Sequence, residues 1–343
     1  MSLSHINTIQ VTSGADFNKH HKGTIFYKFL NDDLVHHNFK YTLGLNTDII
    51  KFNTDTRCSA GGLYFCEESK CHLYWRNYGK KLALVKIPND AVVCIENNKF
   101  KSNKIIIKEI TDFNDVPDKF WIKILRKDRF GLALQYIKDQ TLPICKYAIK
   151  RNYNALKYVR DQTDDLCRFA IRRNGLILRD VKVQTSELCK VAVQQNGLAL
   201  KYVEHQTNDI CIFAVKQNGL ALEFITDLML QLQTETICMT AVKQDGMALQ
   251  FVLEQTELIC KFAIQQNPNA LIHVKSQTAE VCMLAVRKDG LMLRHVKHQT
   301  YEICKLAVQQ YGLSLMFVEN QIGDLCKLAV EQNELAARYI KKS

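Results

Sequence analysis

Several features that would place a chain in a special class are missing from this sequence. Proline occurs only four times, so few positions oppose a helix, and the 47% content of apolar residues argues against a disordered chain. No stretch approaches the roughly 18 consecutive apolar residues of a transmembrane helix, so no membrane contact is expected. The first residues lack a charged segment followed by an apolar core, so we expect no secretory signal and a cytoplasmic protein.

Thirteen cysteines are the most distinctive part of the composition, and four of them lie among the first hundred residues. The other nine lie 22 residues apart, except for one step of 27: Cys145, Cys167, Cys189, Cys211, Cys238, Cys260, Cys282, Cys304 and Cys326. A disulfide framework shows no such regularity, so the spacing indicates one buried position repeated nine times. We expect free thiols, because packed helices lie about 8–10 Å apart and a disulfide needs Cα atoms within about 7 Å.

The sequence around these cysteines is an internal repeat of 22 residues. Residues 184–203 read QTSELCKVAVQQNGLALKYV, and residues 299–318 read QTYEICKLAVQQYGLSLMFV. In another copy, Ile210, Cys211, Ala214 and Val215 have the spacing of one helical face, and a shorter apolar segment follows. One unit cannot bury its own apolar side, whereas stacked units share a core. The predicted fold of residues 116–343 is therefore an all-α solenoid of about ten 22-residue helical hairpins.

Recurring polar residues predict how each hairpin begins and turns. The Thr of each Gln-Thr pair is a suitable N-cap for the first helix. Asn-Gly or Asp-Gly is expected to end that helix with its glycine in the left-handed conformation, and the turns at Asn152-Tyr153 and Asn267-Pro268 are expected to differ. We expect the Gln before each Thr to form a ladder of hydrogen bonds to backbone groups of the neighbouring unit. The alternative is a solvated loop residue.

The repeat has two degenerate ends and one interruption. Residues 118–139 lack both Gln-Thr and cysteine, which predicts an N-terminal cap in which Trp121 covers the end of the core. Residues 321–343 lose the capping Thr, which predicts a C-terminal cap. An insertion at residues 228–232 either lengthens one second helix or offers a contact for a partner or a second copy. Its apolar residues are Leu228, Met229, Leu230 and Leu232.

Residues 1–112 differ in kind from the repeats and predict a small α+β domain. Runs typical of strands occupy residues 24–29, 62–65, 82–87 and 91–95, with turn signals such as Gly61-Gly62 between them. A short join around residues 111–117 leads into the repeats. The predicted order is therefore an α+β domain followed by the solenoid.

A set of motifs in the N-terminal domain has the pattern of a known family. They are His37-x-Phe39-x-Tyr41-x-x-Gly44-Leu45-Asn46, Phe52-Asn53, Gly61-Gly62-Leu63-Tyr64-Phe65, Ile87-Pro88-x-Asp90-Ala91 and Phe100-Lys101-x-x-Lys104-Ile105. This set resembles the N-terminal domain of giant-virus repeat proteins, in which it often precedes ankyrin repeats. The 22-residue unit resembles short helical repeats of unknown function in giant viruses and protists. The resemblance implies a viral protein that works in the cytoplasm of an infected cell, and it transfers no activity.

Four residues of the N-terminal domain are of types that bind metal ions: Cys58, Cys66, Cys71 and His72. Zinc sites usually contain tight pairs such as Cys-x₂-Cys, and these spacings are wider. Ordinary thiols on a small domain are the simpler interpretation. We therefore expect no metal and no other cofactor.

An enzymatic interpretation rests on a further resemblance. His36 or His37, followed by the Gly-Gly-Leu-Tyr-Phe strand, resembles the nucleotide-binding core of ADP-ribosyltransferases. Such an enzyme also needs a glutamate, and Glu67 and Glu68 lie nearby in the sequence. The alternative is a structural histidine beside a structural strand.

Basic residues recur directly after the repeated cysteine and at the two positions after each Ala-Val or Ala-Ile pair. The candidate binding surface consists of Lys146, Lys150, Arg151, Arg168, Arg172, Arg173, Lys190, Lys216, Lys243, Lys261, Arg287, Lys288 and Lys305. Stacking would align them in a basic stripe, parallel to an acidic stripe at the helix starts. These charges either complement the helix dipoles or contact phosphates. Aromatic platforms of the kind that single-strand binders use are not evident beside the stripe.

The sequence therefore predicts a non-enzymatic scaffold or adaptor that presents an extended solenoid surface to a protein partner. The net charge of +11 also permits an acidic partner, so the alternative is RNA or DNA binding through the basic stripe. A third hypothesis is an ADP-ribosyltransferase-like enzyme in the N-terminal domain.

Overall fold

The computed structural model describes residues 10–36, 38–55, 60–225 and 232–341. The chain forms two compact units, Met1–Arg160 and Asp161–Ser343. The strands lie in the first unit, which also contains the first two helix pairs described below. The predicted division into residues 1–112 and 116–343 falls inside this unit, where the last strand ends and the helices begin.

An antiparallel sheet of eight strands forms the core of the first unit, in the order β1-β8-β9-β6-β2-β7-β10-β5. Strands β3 and β4 pair separately, and the helix α1 spans Gly14–His20. The strands are β1 Gln10–Ser13, β2 Phe26–Leu30, β3 Val35–His36, β4 Phe39–Lys40, β5 Gly44–Thr47, β6 Leu63–Glu67, β7 Lys81–Lys86, β8 Val92–Ile95, β9 Phe100–Ser102 and β10 Lys104–Asp112. The strand-rich region followed by helices confirms the predicted order of the two classes.

Aromatic side chains fill the space between α1 and the sheet. Phe17 of α1 lies with its ring centre 5.3 Å from that of Phe26 and 5.0 Å from that of Phe100. Phe65 stacks on Phe100 with ring centres 5.3 Å apart. All four rings are buried, and burial of each side chain contributes about 1.5–3 kcal/mol.

Ten pairs of helices follow along the described chain, each made of one α-helix and one 3₁₀ helix. The α-helices are α2 Asp118–Lys127, α3 Leu142–Arg151, α4 Asp164–Ile171, α5 Ser186–Gln195, α6 Asn208–Gln217, α7 Glu235–Gln244, α8 Glu257–Gln266, α9 Ala279–Lys288, α10 Tyr301–Gln310 and α11 Gly323–Gln332. The 3₁₀ helices are Leu132–Tyr136, Tyr153–Tyr158, Gly175–Asp180, Gly197–Tyr202, Gly219–Phe224, Gly246–Phe251, Pro268–His273, Gly290–His295, Gly312–Phe317 and Glu334–Tyr339. We number the pairs 1 to 10 in this order.

Within the second unit, each pair packs on the next one. Successive α-helices from α4 to α11 contact each other, and so do successive 3₁₀ helices. The predicted face of pair 5 is buried, since Ile210, Cys211, Ala214 and Val215 are at most 1% exposed. The twelve cysteines of the described residues are free thiols, and Cys326 alone among them is only half-buried. The prediction that the repeated cysteines fill the core as free thiols is confirmed.

The predicted threonine N-caps are confirmed in seven α-helices. Thr163, the N-cap of α4, accepts a hydrogen bond from the backbone N–H of Leu166, and the other six follow the same pattern. The side chain of Thr141 makes no cap bond, and Ile322 stands in place of the last threonine, as the sequence indicates. Each hydroxyl satisfies one of the four N–H groups that the first turn leaves without a partner.

The prediction of left-handed glycines after each α-helix is wrong for the repeats with Asn-Gly or Asp-Gly. Asn196 has an extended backbone, with φ −152° and ψ 110°, and its side chain accepts a hydrogen bond from the N–H of Leu198. It is therefore the N-cap of the following 3₁₀ helix. Gly197 is needed for a different reason, since a Cβ there would lie 2.4 Å from the carbonyl oxygen of Ala214 in the next pair.

The two exceptional turns do not differ as predicted. Asn152 and Asn267 have the same extended backbone and cap the next 3₁₀ helix in the same way. Pro268 fits because it occupies the first position of a 3₁₀ helix, where the missing N–H has no partner within the helix.

The predicted glutamine ladder is confirmed. The side-chain amide N–H of all nine glutamines, from Gln140 to Gln321, donates to the last carbonyl of the 3₁₀ helix 18 residues further on. In six of them it also donates to a leucine carbonyl in the preceding pair, which links adjacent 3₁₀ helices. In eight of them the side-chain oxygen accepts a backbone N–H two residues after that last carbonyl, as Gln255 does from Lys275 at 2.9 Å.

Trp121, the predicted cover of the first pair, is completely buried within the first unit. Its indole N–H donates to the carbonyl of Phe113 at 3.2 Å, and its ring stacks on Tyr136 with centres 4.6 Å apart. Trp75 contacts the same indole edge to face. The first pair is therefore packed against side chains that precede the repeats.

The predicted insertion lies mostly outside the described residues, which resume at Leu232. The 3₁₀ helix before it ends at Phe224 and has the same six residues as its neighbours. Helix α6 contacts α7, and the 3₁₀ helices of pairs 5 and 6 also contact each other. The packing from pair 5 to pair 6 therefore continues across the insertion.

Replacement of Gly197 by alanine should destabilise the protein by about 1–3 kcal/mol, because the new methyl group overlaps the carbonyl of Ala214. Gly323→Ala is the matched control, since a Cβ there meets nothing within 4 Å and Gly323 begins a helix. The control should be neutral or slightly stabilising. Chemical denaturation of both variants measures the difference, and equal losses would contradict the contact.

Gln255→Ala should lower the free energy of unfolding by about 1–3 kcal/mol, because backbone groups of three residues lose a partner. These are the carbonyls of Leu249 and His273, at 3.1 and 3.0 Å, and the N–H of Lys275. Gln265→Ala removes the same side chain from an exposed helix position and should cost much less. A similar loss in both variants would show that the ladder adds no stability.

Candidate interaction surface

The candidate basic residues belong to two groups with different surroundings. One group follows the repeated cysteine: Lys146, Arg168, Lys190, Lys261 and Lys305. The other lies at the ends of the α-helices: Lys150, Arg151, Arg172, Arg173, Lys216, Lys243, Arg287 and Lys288. All eight residues of the second group are exposed, whereas four of the five in the first are half-buried and Lys146 is exposed.

Acidic neighbours neutralise part of the group that follows the cysteine. Lys261 contacts Glu257 at 2.6 Å in its own helix and also contacts Glu280 at the start of the next α-helix. The hydrogen bonds to Glu257 and Glu280 raise the pKa of Lys261, and the same bond lowers the pKa of Glu257. Lys190 lies 3.6 Å from Glu187. These lysines therefore form ion pairs with acidic residues at the helix starts, and they contribute less to a separate basic stripe.

The two positions at the end of each α-helix have different roles, so we name them separately. The first helix-end position comprises Lys150, Arg172, Gln194, Lys216, Lys243, Gln265, Arg287, Gln309 and Glu331. The second helix-end position comprises Arg151, Arg173, Gln195, Gln217, Gln244, Gln266, Lys288, Gln310 and Gln332. Both positions are exposed in all nine pairs.

The second helix-end position is occupied by a structural contact wherever it is glutamine. The side-chain oxygen of each of these six glutamines accepts the N–H of the glycine that begins the 3₁₀ helix of the preceding pair. Lys288 follows the pair that contains Pro268, which has no N–H to donate. A basic residue therefore occurs there in place of a glutamine that would have no partner.

Aromatic rings lie beside two of the basic helix-end residues, contrary to the expectation from sequence. The ammonium of Lys243 lies 4.1 Å from the ring centre of Phe262 on the next α-helix. The guanidinium of Arg173 lies 5.5 Å from the ring centre of Phe169. Both rings are half-buried and occupy the position just before the buried alanine. The sequence feature that indicates these contacts is an aromatic residue at that position, and it occurs in only some of the repeats.

In the first unit, two residues of the enzymatic hypothesis come together and the glutamates do not join them. His36 and Tyr64 both line a cavity, whereas His37 lies outside the described residues. Glu67 pairs with His21 at 3.4 Å, and Glu68 contacts Lys123 at 2.7 Å. Neither glutamate is among the residues that line the cavity.

The residues considered as metal ligands do not come together at one site within the part of the chain that the structure describes. The sulfur atoms of Cys66 and Cys71 lie 3.8 Å apart in the interior, and burial raises the pKa of Cys71. His72 contacts the backbone carbonyl of Ser69 at 3.0 Å. Cys58 lies outside the described residues, and within those residues no three His, Cys, Asp or Glu side chains cluster as metal ligands would.

One known protein family, whose function is unknown, is similar to the repeat unit. Residues 185–231 and 209–256 are each similar to a domain of unknown function, DUF4116. Each match covers about two pairs, and the second begins one pair after the first. No curated protein and no solved structure matches the sequence. Among the described residues, no helix has both the length and the hydropathy needed to cross a bilayer.

The buried thiols should make the repeats sensitive to alkaline pH. Burial, with a smaller contribution from Glu235, raises the pKa of Cys238 to about 11. The unfolded chain loses this proton near pH 9 and the folded chain does not, so stability should fall between about pH 9 and 11, by up to about 1.4 kcal/mol per pH unit for each such thiol. The free energy of unfolding, measured by chemical denaturation at several pH values in this range, should therefore fall less steeply with pH for Cys238→Ala. Half-buried Cys326→Ala is the control, and equal slopes in all three proteins would refute the prediction.

Proposed function

We propose that this protein is a non-enzymatic scaffold whose helix pairs form an α-solenoid that presents its helix ends to a protein partner. The observation that carries this proposal is the contrast between constant and variable positions. Core, cap and ladder positions hold nearly the same residues in every pair. The first helix-end position is exposed in all nine pairs and holds lysine, arginine, glutamine or glutamate.

The charge at this position suggests the chemistry of the partner. Five of the nine residues are basic, namely Lys150, Arg172, Lys216, Lys243 and Arg287, and one is acidic. A row of cations on a rigid frame favours an acidic segment of a partner protein, chiefly by guiding association and specificity. The resemblance to giant-virus repeat proteins supports a cytoplasmic role in an infected cell, with the N-terminal domain recruiting or localising the scaffold.

Purification of the tagged full chain from its native cell, with nuclease treatment, tests this proposal. The variant Lys216→Glu, Lys243→Glu, Arg287→Glu should lose the co-purifying protein. The control Lys182→Glu, Lys201→Glu, Lys297→Glu changes the same charge at exposed positions outside the helix ends and should retain it. Equal retention by both variants would overturn the helix-end surface as the binding site.

Nucleic acid is the second candidate, and the rings beside Lys243 and Arg173 favour it. A cation next to an aromatic face can contact a phosphate while the ring stacks on a base. The affinity for single-stranded RNA would then fall with salt, with a slope of about 0.7 in log–log form for each phosphate contact. Loss of the partner on nuclease treatment, together with a smaller slope in the helix-end variant, would favour RNA over protein.

Self-association through Leu228, Met229, Leu230 and Leu232 remains a separate proposal. Four apolar residues in five are enough for a small contact between copies. Light scattering on the full chain and on a variant with these four residues changed to serine would separate a dimer from a monomer.

A further inference from the structure

Two cysteines of the first unit lie against each other in its interior. Cys66 belongs to β6, and Cys71 belongs to the 3₁₀ helix Glu68–Leu73 that follows this strand directly. Their sulfur atoms lie 3.8 Å apart, and both side chains are buried. A disulfide bond is about 2.0 Å long, so the two sulfur atoms need to approach by only about 2 Å to be joined.

The cysteines of the repeats have different neighbours. The thiol of Cys189 donates to the side-chain oxygen of Gln184 at 3.4 Å, and the thiol of Cys304 donates to that of Gln299 at 3.6 Å. Each repeated cysteine lies on an α-helix of its own, and packed helices are about 8–10 Å apart. The repeats therefore contain single thiols, which are internal controls for the pair formed by Cys66 and Cys71.

A buried lysine lies beside Cys66. Tyr27 of β2 pairs with Cys66, and beyond this point β2 and β6 separate. Lys28, the next residue of β2, donates its ammonium N–H to the carbonyl of Tyr64 at 2.9 Å. Burial lowers the pKa of Lys28 to about 7, and a charge interaction with Cys66 opposes this shift. A cation close to a cysteine favours the thiolate, which is the nucleophilic form.

Cys71 has the complementary property. Burial, and then the contact with Cys66, raise the pKa of Cys71, so its sulfur retains a proton. Its thiol donates to the backbone carbonyl of Glu67 at 3.5 Å. One sulfur of the pair can therefore act as a nucleophile while the other remains a thiol beside it. Cysteines that react with oxidants often have such a second, resolving cysteine as a neighbour.

A small cavity adjoins the strand that contains Cys66. Its volume is about 50 Å³, and the residues that line it include Lys28, Tyr64 and Cys66. A buried water molecule needs about 10–15 Å³ of such space, and hydrogen peroxide is little larger than water. The cavity therefore admits an oxidant of this size to the strand.

We propose that Cys66 and Cys71 form a site of reversible oxidation, at which hydrogen peroxide joins the two thiols in a disulfide bond. The thiolate of Cys66 first attacks one oxygen of the peroxide and breaks the O–O bond. Hydroxide leaves and takes up the proton that Cys66 lost, which gives water and a sulfenic acid on Cys66.

The second step joins the two residues. The sulfur of Cys71 gives up its proton and attacks the sulfur of Cys66, the S–O bond breaks, and hydroxide leaves with that proton as a second water. The two thiols lose two electrons in total, and one peroxide is reduced to two waters. A small-molecule thiol reverses the change by exchange with the disulfide.

The site connects this oxidation to the first helix pair. Glu68, in the same 3₁₀ helix as Cys71, contacts Lys123 of α2 at 2.7 Å. The backbone N–H of Trp75 donates to the carbonyl of Cys71 at 3.1 Å, and the ring of Trp75 lies 5.6 Å from that of Trp121 in α2. A disulfide draws Cys71 towards β6 and therefore alters these contacts with α2. The site is independent of the helix-end surface.

Treatment of the reduced full chain with a small excess of hydrogen peroxide tests the proposal. The remaining thiols are alkylated in denaturant, and the peptides are analysed by mass spectrometry. The thiols of Cys66 and Cys71 should be lost at least about tenfold faster than repeat thiols such as Cys189, with formation of their disulfide. Dithiothreitol should restore both thiols. In urea the preference should largely disappear, because all the thiols are then exposed alike.

Single variants separate the two roles. Cys71→Ser should leave Cys66 as a sulfenic acid, which dimedone traps, and Cys66→Ser should abolish the disulfide and leave Cys71 unreacted. Cys94→Ser, at a buried cysteine of the same sheet, should change neither result. Tryptophan emission should change when the unaltered protein is oxidised, because Trp75 and Trp121 are the two tryptophans of the chain and both lie near the site.

Three results would count against these inferences. Loss of the Cys66 thiol no faster than that of Cys189, or a disulfide from Cys66 to a different cysteine, would overturn the proposed site. Unchanged tryptophan emission in the oxidised protein would contradict the effect on α2. If a variant does not fold, the order in which the thiols of the unaltered protein are oxidised decides.

Discussion

One side-chain amide per repeat is the interaction on which the helical part of the protein depends. At the end of a 3₁₀ helix such as Gly290–His295, a carbonyl and an N–H two residues apart need partners outside the helix, here those of His295 and Lys297. Gln277 satisfies both, at 2.9 Å each, because a primary amide contains a donor and an acceptor. Glutamate lacks the donor and asparagine is one methylene shorter. The residue type is therefore set by the backbone geometry of the turn.

A second glutamine contact fixes the other end of the same 3₁₀ helix. The N–H of Gly290 donates to the side-chain oxygen of Gln310 in the next pair at 2.7 Å. The glycine also brings its backbone so close that a Cβ would lie 2.5 Å from the carbonyl of Ala307. Glycine, glutamine and the capping Asp289 thus recur together because they build a single junction. Pro268 followed by Lys288 shows the same dependence, since the lost donor is accompanied by the lost acceptor.

Local pattern was enough to predict the features that follow from a single helix. The period of 22, the buried cysteine, the threonine N-cap and the need for a partner of Gln140 to Gln321 all follow from spacing and residue chemistry. The role of Gly197 did not, because its close neighbour Ala214 lies in the next pair, and Asn-Gly suits either a helix end or a helix start. The strand order and the burial of Lys28 could not be predicted either. In the sequence, Lys28 is one polar residue within a predicted strand. Its burial depends on how β2 and β6 diverge.

The junctions also decide where specificity can lie in the repeats. The core, the caps and the ladder occupy about half of the 22 positions, and the second helix-end position is committed wherever it is glutamine, as in Gln217. The first helix-end position is exposed in all nine pairs, so residues such as Lys216 and Arg287 can change without disturbing the packing. Sequence variation among pairs should therefore concentrate there.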